Sequence, residues 1–312
     1  MTATTPQPDG RIPLAAAAAG TVTDAGIGVA LAVASALSYS LTIVVNRTLA
    51  TAHVHAATAL GARFTIAFAV LVALLRLRGE PILPARGERL RVLGLGAIGY
   101  GLESTLFFMA LERGTAAAVA LMFYAYPAIV TVLELATRPA RLTGRTLGAL
   151  LLSVSGTAVV VGAGSHVAIT AGGVACALGS AASFAVYLIA SDRLVTRSNA
   201  LTTGTWVAGG CALSFLVRGA VTEGFSSPSG HWVALAGNGL ATASAFVFMF
   251  AALRRLGASR TSVVMTFEAV GAVVLAALFL GEHLSAAQLA GGAAVVVATA
   301  LIGLAKADPA EL

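Results

Sequence analysis

The chain has 312 residues, of which 58% are hydrophobic and only 10% are charged, and its formal net charge is +6. A typical soluble domain carries about 25% charged residues, so this composition excludes a soluble globular protein and indicates one that lies in a membrane. No basic cluster is larger than a loop, so the positive charge gives no reason to expect nucleic-acid binding and concerns membrane orientation and anionic lipid headgroups instead.

Residues 1–24 make a poor signal peptide, because their apolar stretch is short and carries almost no bulky side chain. We predict a disordered tail there. Ten apolar runs follow, each of about twenty residues and therefore long enough for a transmembrane helix. They lie near 26–45, 57–75, 92–111, 115–134, 145–163, 170–190, 200–217, 232–252, 260–279 and 286–305. The predicted fold class is an all-α polytopic membrane protein with ten transmembrane helices, followed by a tail at 306–312.

Lysine and arginine are concentrated in alternate loops between these runs. If the N-terminus lies in the cytoplasm, the cytoplasmic side receives 15 of them, whereas the outer side receives only Arg47, Arg113 and Arg218. Cytoplasmic loops are normally enriched in Lys and Arg, so this asymmetry predicts that both termini are cytoplasmic. If the chain had one span fewer, every later loop would lie on the other side of the membrane and the asymmetry of Lys and Arg would disappear. This favours the count of ten.

Two long segments of the chain match each other without a gap at a distance of 142 residues, namely 110–143 and 252–285. Their apolar positions agree, but a basic turn follows the first and an acidic turn follows the second. A second pair, 28–38 and 173–183, is identical at 7 of 11 positions. Each half has five spans, an odd number, so the second half must enter the membrane from the opposite side. Both observations predict two inverted five-helix repeats, an architecture typical of transporters.

Several short motifs of the chain resemble those of the EamA-like members of the drug/metabolite transporter superfamily. They are Ala110-Leu111, Ala252-Leu253, Arg63-Phe64, Pro127 and Gly281-Glu282-x-Leu284-Ser285. The resemblance covers residues 25–305 and implies one five-helix repeat at 25–163, another at 168–305, and a central cavity between them. It also implies export of amino acids or other small metabolites. One position departs from the pattern: Glu268-Ala269 stands where relatives often have Glu-Pro, which leaves open whether the ninth span bends.

Polar side chains recur at helical spacing on four of the predicted spans and would form the translocation path. They are Ser35, Ser38, Tyr39, Thr42 and Asn46 on span one; Gly96, Tyr100, Glu103 and Phe107 on span three; Ser180, Ser183, Tyr187 and Ser191 on span six; and Asn238, Thr242, Ala245 and Met249 on span eight. Such faces either line a path or allow close helix packing. On spans one and six both interpretations stay open, whereas the Tyr and Glu of span three favour lining.

Three charged residues fall inside predicted spans: Arg63, Glu103 and Glu268. Each costs about 2.5–3.5 kcal/mol near the bilayer centre on insertion scales, so an unused one is not expected. Either carboxyl group is a candidate proton carrier unless an arginine holds it ionised. Arg63 could bind a substrate carboxylate or pair with Glu103. In the fourth span, Tyr126 adjoins Pro127, which must bend the helix or free a backbone carbonyl for a substrate.

The sequence therefore predicts a secondary active transporter of the bacterial inner (plasma) membrane that exports amino acids or similar metabolites by alternating access. An uptake permease and a non-transporting sensor or scaffold are the alternatives. No histidine lies in a span and no nucleotide-binding loop is present, so we expect neither enzymatic activity nor a cofactor, and we interpret the His53-x-His55 pair as ordinary loop residues rather than metal ligands. The expected partners are a small-molecule substrate, the lipid bilayer and, as a candidate coupling ion, the proton. The Gly-rich tenth span could pack against a second copy in a homodimer or within the fold.

Overall fold

The computed structural model describes residues 14–52, 54–111, 113–114, 116–137, 144–163, 169–227, 230–280 and 285–303, and within these ranges the secondary structure is helical apart from one isolated bridge between Gly114 and Ile169. The helices are α1 (Leu14–Thr51), α2 (Ala56–Leu77), α3 (Arg89–Gly94), α4 (Gly101–Leu111), α5 (Ala116–Phe123), α6 (Tyr126–Thr137), α7 (Gly144–Gly162), α8 (Ala171–Leu194), α9 (Ala200–Arg218), α10 (Trp232–Met265), α11 (Phe267–Leu280) and α12 (Ala286–Gly303). Two π-helical stretches, Leu95–Tyr100 and Gly219–Glu223, continue α3 and α9.

Six of the described helical segments are long and apolar enough to cross a membrane: Asp24–Asn46, Ala56–Leu77, Gly144–Gly162, Ala171–Leu194, Ala200–Thr222 and Trp232–Met265. Two shorter apolar helices, Tyr126–Thr137 and Ala286–Leu301, accompany them. α1 begins at Leu14, inside the segment predicted as a disordered tail, because alanine, which fills positions 15–19, has the highest helix propensity. Residues 1–13 lie outside the described residues.

The predicted third, fourth and ninth spans are each interrupted. The third consists of α3, the π-helical stretch and α4, which follow one another directly. The fourth is divided between α5 and α6. The ninth begins in α10 beyond Gly257, whose φ of 74° is open to glycine and strained for other residues, and continues as α11. The six long apolar helices of the described residues correspond to the first, second and fifth to eighth predicted spans, and the tenth predicted span corresponds to the shorter helix α12.

The breaks in the fourth and ninth spans fall at equivalent positions of the repeat, since Tyr124 and Thr266 are 142 residues apart. Pro127 accounts for the first break because it has no N–H to donate. The second break occurs without proline. There the Thr266 hydroxyl donates to the carbonyl of Val263 at 2.7 Å, and the Tyr126 hydroxyl donates to the carbonyl of Ser262 at 3.2 Å. A side chain thus satisfies the Ser262 carbonyl, and the Val263 carbonyl accepts from both the hydroxyl and the backbone N–H of Thr266.

The helices pack closely across the boundary between the two halves of the chain. α1 lies along α10 and α11, α2 lies along α9, and α7 lies along α12. Glycine permits a very close approach between the π-helical stretch Leu95–Tyr100 and α9. A Cβ on Gly96 would lie 2.1 Å from the carbonyl oxygen of Val207. The largest core cluster of the described residues contains the buried tyrosines and several phenylalanines, with Phe64, Tyr100 and Phe246 in mutual ring contact.

Connecting segments meet at two separate ends of the molecule. At one end, the contacts are Arg255–Asp24, Arg254–Ser198, Ser198–Glu88 and Arg193–Thr137. At the other, they are His55–Ser226 and Thr170–Arg113. Each of these contacts joins segments that the charge count assigns to the same side of the membrane.

Candidate functional site

The three charged residues of the predicted spans lie in one interior region. Arg63 comes from α2, Glu103 from α4 and Glu268 from the first turn of α11. Arg63 interacts electrostatically with both carboxyl groups, and the two carboxyl groups also interact with each other. Residues far apart in the chain and belonging to both halves therefore bring one positive and two acidic groups to the same interior region.

Arg63 is buried and held by two neighbours. Its Nε donates a hydrogen bond to the Thr242 hydroxyl at 2.6 Å, and that hydroxyl donates in turn to the carbonyl of Asn238 at 2.7 Å. The guanidinium carbon lies 4.9 Å from the centre of the Phe64 ring, a cation–π distance. Within the described residues, no hydrogen bond or ion pair joins Arg63 to Glu103. The guanidinium is thus fixed in place while its terminal nitrogens have no described acceptor.

Glu103 is held by hydroxyl groups instead of the arginine. The Ser104 hydroxyl donates to Oε2 at 2.9 Å, and the Ser180 hydroxyl of α8 donates to Oε1 at 3.2 Å. Ser180 also lies 3.1 Å from the backbone carbonyl of Glu103. The carboxyl group is therefore buried but has two hydrogen-bond donors, one from each half of the chain.

Glu268 has a different environment. It is only half-buried, and its carboxyl group receives no hydrogen bond from any described residue. Its backbone carbonyl accepts a hydrogen bond from the Ser40 hydroxyl of α1 at 2.8 Å, which fixes the start of α11. Tyr124 and Tyr126 are within electrostatic range of the carboxyl group. Of the two acidic groups, Glu268 is thus the one whose carboxyl oxygens accept no hydrogen bond from a described residue.

All five tyrosines of the chain are buried in this interior. Tyrosine in membrane proteins is usually enriched at the lipid–water interface, so complete burial of the set is unusual. The ring of Tyr100 lies 5.4 Å from the rings of both Tyr187 and Phe246, and the ring of Tyr126 lies 4.9 Å from that of Phe184. Among the described residues, no hydrogen bond to the Tyr187 hydroxyl meets the distance and angle limits. The aromatic rings form apolar walls that carry a few polar groups.

The structure brings together most, but not all, of the residues predicted to line the path. Those joined by the contacts and electrostatic interactions of this region are Tyr39, Arg63, Tyr100, Glu103, Tyr126, Tyr187, Asn238, Thr242 and Glu268. Ser38 and Thr42 turn their hydroxyls to carbonyls of their own helix, those of Ala34 and Tyr39. Ser183 is half-buried on α8, and no hydrogen bond to another predicted residue is described for it.

Sequence reasoning missed two contributors to the site and the partner of a third. Ser104 and Ser40 bind Glu103 and Glu268, yet only the position of Ser104 next to a carboxyl group gave any local signal. Asn46 was placed on a polar face, but its partner was not foreseen: its Oδ1 accepts a hydrogen bond from the Asn238 amide at 2.7 Å. The other amide atom of Asn238, Oδ1, is buried without a partner.

Apolar helices that are long enough to cross a bilayer, together with charged and hydroxyl groups in their interior, define a multi-pass membrane protein with a polar internal site. The model of the EamA-like transporter family matches residues 26–162 and again 171–304. The chain belongs to this family and is a membrane transporter of the drug/metabolite superfamily, built from two copies of the family unit.

One solved crystal structure is similar to this chain with a TM-score of 0.68 and 21% sequence identity, over 91% of this chain and 96% of that one. At this identity the likeness shows the fold alone. None of the curated proteins matches the sequence.

Proposed function

We propose that the protein is a secondary active transporter of the bacterial inner membrane that exports amino acids or similarly sized metabolites by alternating access. The observation that carries this proposal is the convergence of Arg63, Glu103 and Glu268 in one interior region. A guanidinium with unused N–H groups can bind a carboxylate, and an acidic group can bind an ammonium or a proton. The arrangement therefore suits a small zwitterion.

The proposed topology has ten spans in two inverted repeats, at 25–163 and 168–305, with both termini in the cytoplasm. Two observations support it. The interrupted helices fall where the third, fourth and ninth spans are predicted, and the two broken spans, the fourth and the ninth, are related by the repeat distance. The loop contacts join only segments of the same predicted side, which is expected if the number of crossings between them is right.

We assign different tasks to the two acidic residues. Glu103 already accepts two hydroxyl hydrogen bonds, so it serves to shape the site and to balance the charge of Arg63. Glu268 has no described donor and is partly accessible, so it is the group that exchanges a proton or binds the substrate's ammonium group during the cycle. The buried tyrosine and phenylalanine rings provide the apolar walls of the path.

The decisive experiment is flux in proteoliposomes with a panel of amino acids, nucleosides and drugs, with and without a pH gradient. We expect Glu268→Gln to abolish pH-driven flux while the protein still inserts and folds. Glu103→Gln should weaken flux through a distorted site. Glu134→Gln, the same substitution at a half-buried helix-end residue, is the matched control and should retain flux.

Two outcomes would overturn the proposal. If no compound of the panel moves faster than in empty liposomes, the transport function is wrong for these substrate classes. If both Glu268→Gln and Glu103→Gln keep full flux and an intact pH response, the interior acidic groups are not the coupling site. The direction is tested separately by growth of deletion and overexpressing strains on toxic concentrations of the transported compound, because an exporter confers resistance when overexpressed.

A further inference from the structure

A carboxylate outside the predicted spans closes one end of the molecule. Glu88, in the segment between α2 and α3, is only 4% exposed. It accepts hydrogen bonds from the backbone N–H groups of Thr196, Arg197 and Ser198 at 3.0, 2.9 and 2.9 Å, and from the Ser198 hydroxyl at 2.5 Å. All four donors lie in the connection between α8 and α9. We call Glu88 with residues 196–198 the Glu88 latch.

Further hydrogen bonds join the same two connections beside the latch. They are Asn199 Nδ2 to Glu80 at 2.7 Å, Thr202 Oγ1 to the carbonyl of Pro81 at 2.8 Å, Trp206 Nε1 to the carbonyl of Ile82 at 2.7 Å, and the N–H of Ala85 to the Ser198 hydroxyl at 3.0 Å. Arg254 of α10 supports the latch by donating to the carbonyl of Ser198 at 2.8 Å. The first half of the chain is thus tied to the second by the carboxylates of Glu88 and Glu80, by the Arg254 guanidinium and by a row of neutral bonds.

The opposite end has a weaker version of this arrangement. There, the N–H of Ser226 donates to the Thr58 hydroxyl at 2.9 Å, and the N–H of His55 donates to the Ser226 hydroxyl at 2.9 Å. Thr58 near the start of α2 corresponds to Thr202 near the start of α9, 144 residues later. No carboxylate takes part in these contacts within the described residues. The two ends are therefore closed by similar contacts, but among those compared only the latch uses a buried carboxylate, which accepts several charge-assisted bonds, each roughly twice as strong as a neutral one.

We propose that Glu88 is a positioning residue that holds this end of the transporter closed, and that release of the Glu88 latch opens it during the transport cycle. The inference rests on the proposed alternating access, in which the halves must separate at one end at a time. Separation here must break every bond of the latch, because its carboxylate and its donors belong to different halves. The difference between the two ends biases the resting protein towards closure at the latch.

The test uses thiol accessibility, which requires no substrate. Cys211 is fully buried between α9 and the π-helical stretch, with its sulfur 3.4 Å from the carbonyl of Gly96, so separation of the halves at the latch exposes it. In the full-length protein with Cys176→Ala, we expect Glu88→Gln to raise the labelling rate of Cys211 by N-ethylmaleimide on the order of tenfold. The reason is that the NH₂ group of glutamine would face the N–H and O–H donors that now bind the Glu88 carboxylate. Glu88→Asp should give a smaller increase. Asp24→Asn, which removes an exposed ion pair at the same end, is the control and should change little.

A reporter at the other end distinguishes an opened latch from general loosening. Ala57, on α2 beside the Ser226 contact, is 1% exposed. In a background with Cys176→Ala and Cys211→Ala, Ala57→Cys should label no faster when Glu88→Gln is added, since a shift to one open end keeps the other closed. Equal acceleration at both positions would overturn the proposal, and so would no acceleration at Cys211.

A second measurement covers the case in which Glu88→Gln does not fold. Glu88→Cys and Ser198→Cys are combined in the background lacking both native cysteines and bridged by a short, reducible bifunctional thiol reagent. Bridging should stop flux and reduction should restore it. Unchanged flux with complete bridging would refute the latch and leave the transport function intact. Absent flux before bridging would count against the transport function and would not affect the labelling result.

Discussion

The close backbone approach between Leu95–Tyr100 and α9 gives a sharp prediction, because it depends on two glycines. A Cβ on Gly96 would lie 2.1 Å from the Val207 carbonyl oxygen, and a Cβ on Gly210 would lie 2.3 Å from the Leu93 carbonyl oxygen. Both obstructing atoms are backbone, so no side chain can move aside. The substitution Gly96→Ala must therefore displace the π-helical stretch from α9. On the same segment, Gly94 has no atom within 4 Å of an added Cβ.

The pair of variants isolates the cost of the clash. Ordinary contact begins at 3.4 Å, so Gly96→Ala requires a shift of about 1.3 Å. Overpacking of this kind costs about 1–3 kcal/mol. Alanine also gains about 1 kcal/mol over glycine in a helix, and both variants share this gain. Gly94→Ala should therefore be stabilised, and Gly96→Ala should be less stable than Gly94→Ala by about 1–3 kcal/mol.

The assay is thermal unfolding of the purified proteins in one detergent at one scan rate, followed by circular dichroism and by loss of the monodisperse peak. We expect the midpoint to rise or stay level for Gly94→Ala and to fall for Gly96→Ala. Labelling of Cys211, which contacts Gly96, should accelerate only in the second variant. If the two variants unfold at the same midpoint, the halves of the chain do not pack as closely as described and the reasoning fails.

Two further predictions concern polar groups. Thr242→Val removes the hydroxyl that accepts from Arg63, a hydrogen bond to a charged group worth about 1.5–3 kcal/mol, so it should lower the unfolding midpoint and raise the KM for a carboxylate substrate. Thr261→Val, at a buried hydroxyl without a partner, is the matched control and should be neutral or stabilising; equal losses in both would contradict the role of Thr242. The second prediction is a pH dependence at Glu88: burial raises the pKa of its carboxyl group, but the hydrogen bonds from Ser198, Arg197 and Thr196 outweigh this effect and hold it below the ordinary 4.5. A lowered pKa gives stability that is present above the ordinary pKa and lost as the pH falls through the folded value, so the difference in midpoint between wild type and Glu88→Gln should be large at neutral pH and vanish in acid. A difference that persists unchanged in acid would contradict it.

Hydropathy was enough to predict most helices, because a segment in lipid must be apolar and must satisfy its own backbone. The second predicted run, 57–75, corresponds to α2 (Ala56–Leu77), and the seventh, 200–217, corresponds to α9 (Ala200–Arg218). The break at Thr266 was not predictable from local sequence, because the Ser262 carbonyl accepts from Tyr126 and the Val263 carbonyl accepts from Ser153 as well as from Thr266, and both Tyr126 and Ser153 are distant in the chain. Proline was the signal expected for such a break, and the ninth span breaks without it.

The candidate site was partly predictable for a similar reason. A charge inside an apolar run is conspicuous, so Arg63, Glu103 and Glu268 could be singled out from composition alone. Their partners could not, since hydroxyl groups such as Ser180 and Thr242 are common in membrane helices and give no signal of what they bind. Glu88 gives no comparable signal, because it lies in a loop rich in arginine, where a charged residue is expected.

The two halves share one scaffold but differ in chemistry, and in the proposed alternating-access cycle this difference makes the two states of the site unequal. At the repeat distance, Tyr126 corresponds to Glu268, and Glu103 corresponds to Ala245. Alternating access exchanges the conformations of two similar halves. If both halves carried the same groups, the exchange would reproduce the same site, and a proton or substrate would bind both states equally and shift neither. Because a tyrosine occupies the position of the first repeat that corresponds to Glu268, an exchange of conformations between the halves would place Glu268 in two different environments. In the proposed cycle, the affinity for a bound cation can then differ between the two states, whereas the free energy that drives the cycle in one direction comes from the gradient of the coupling ion.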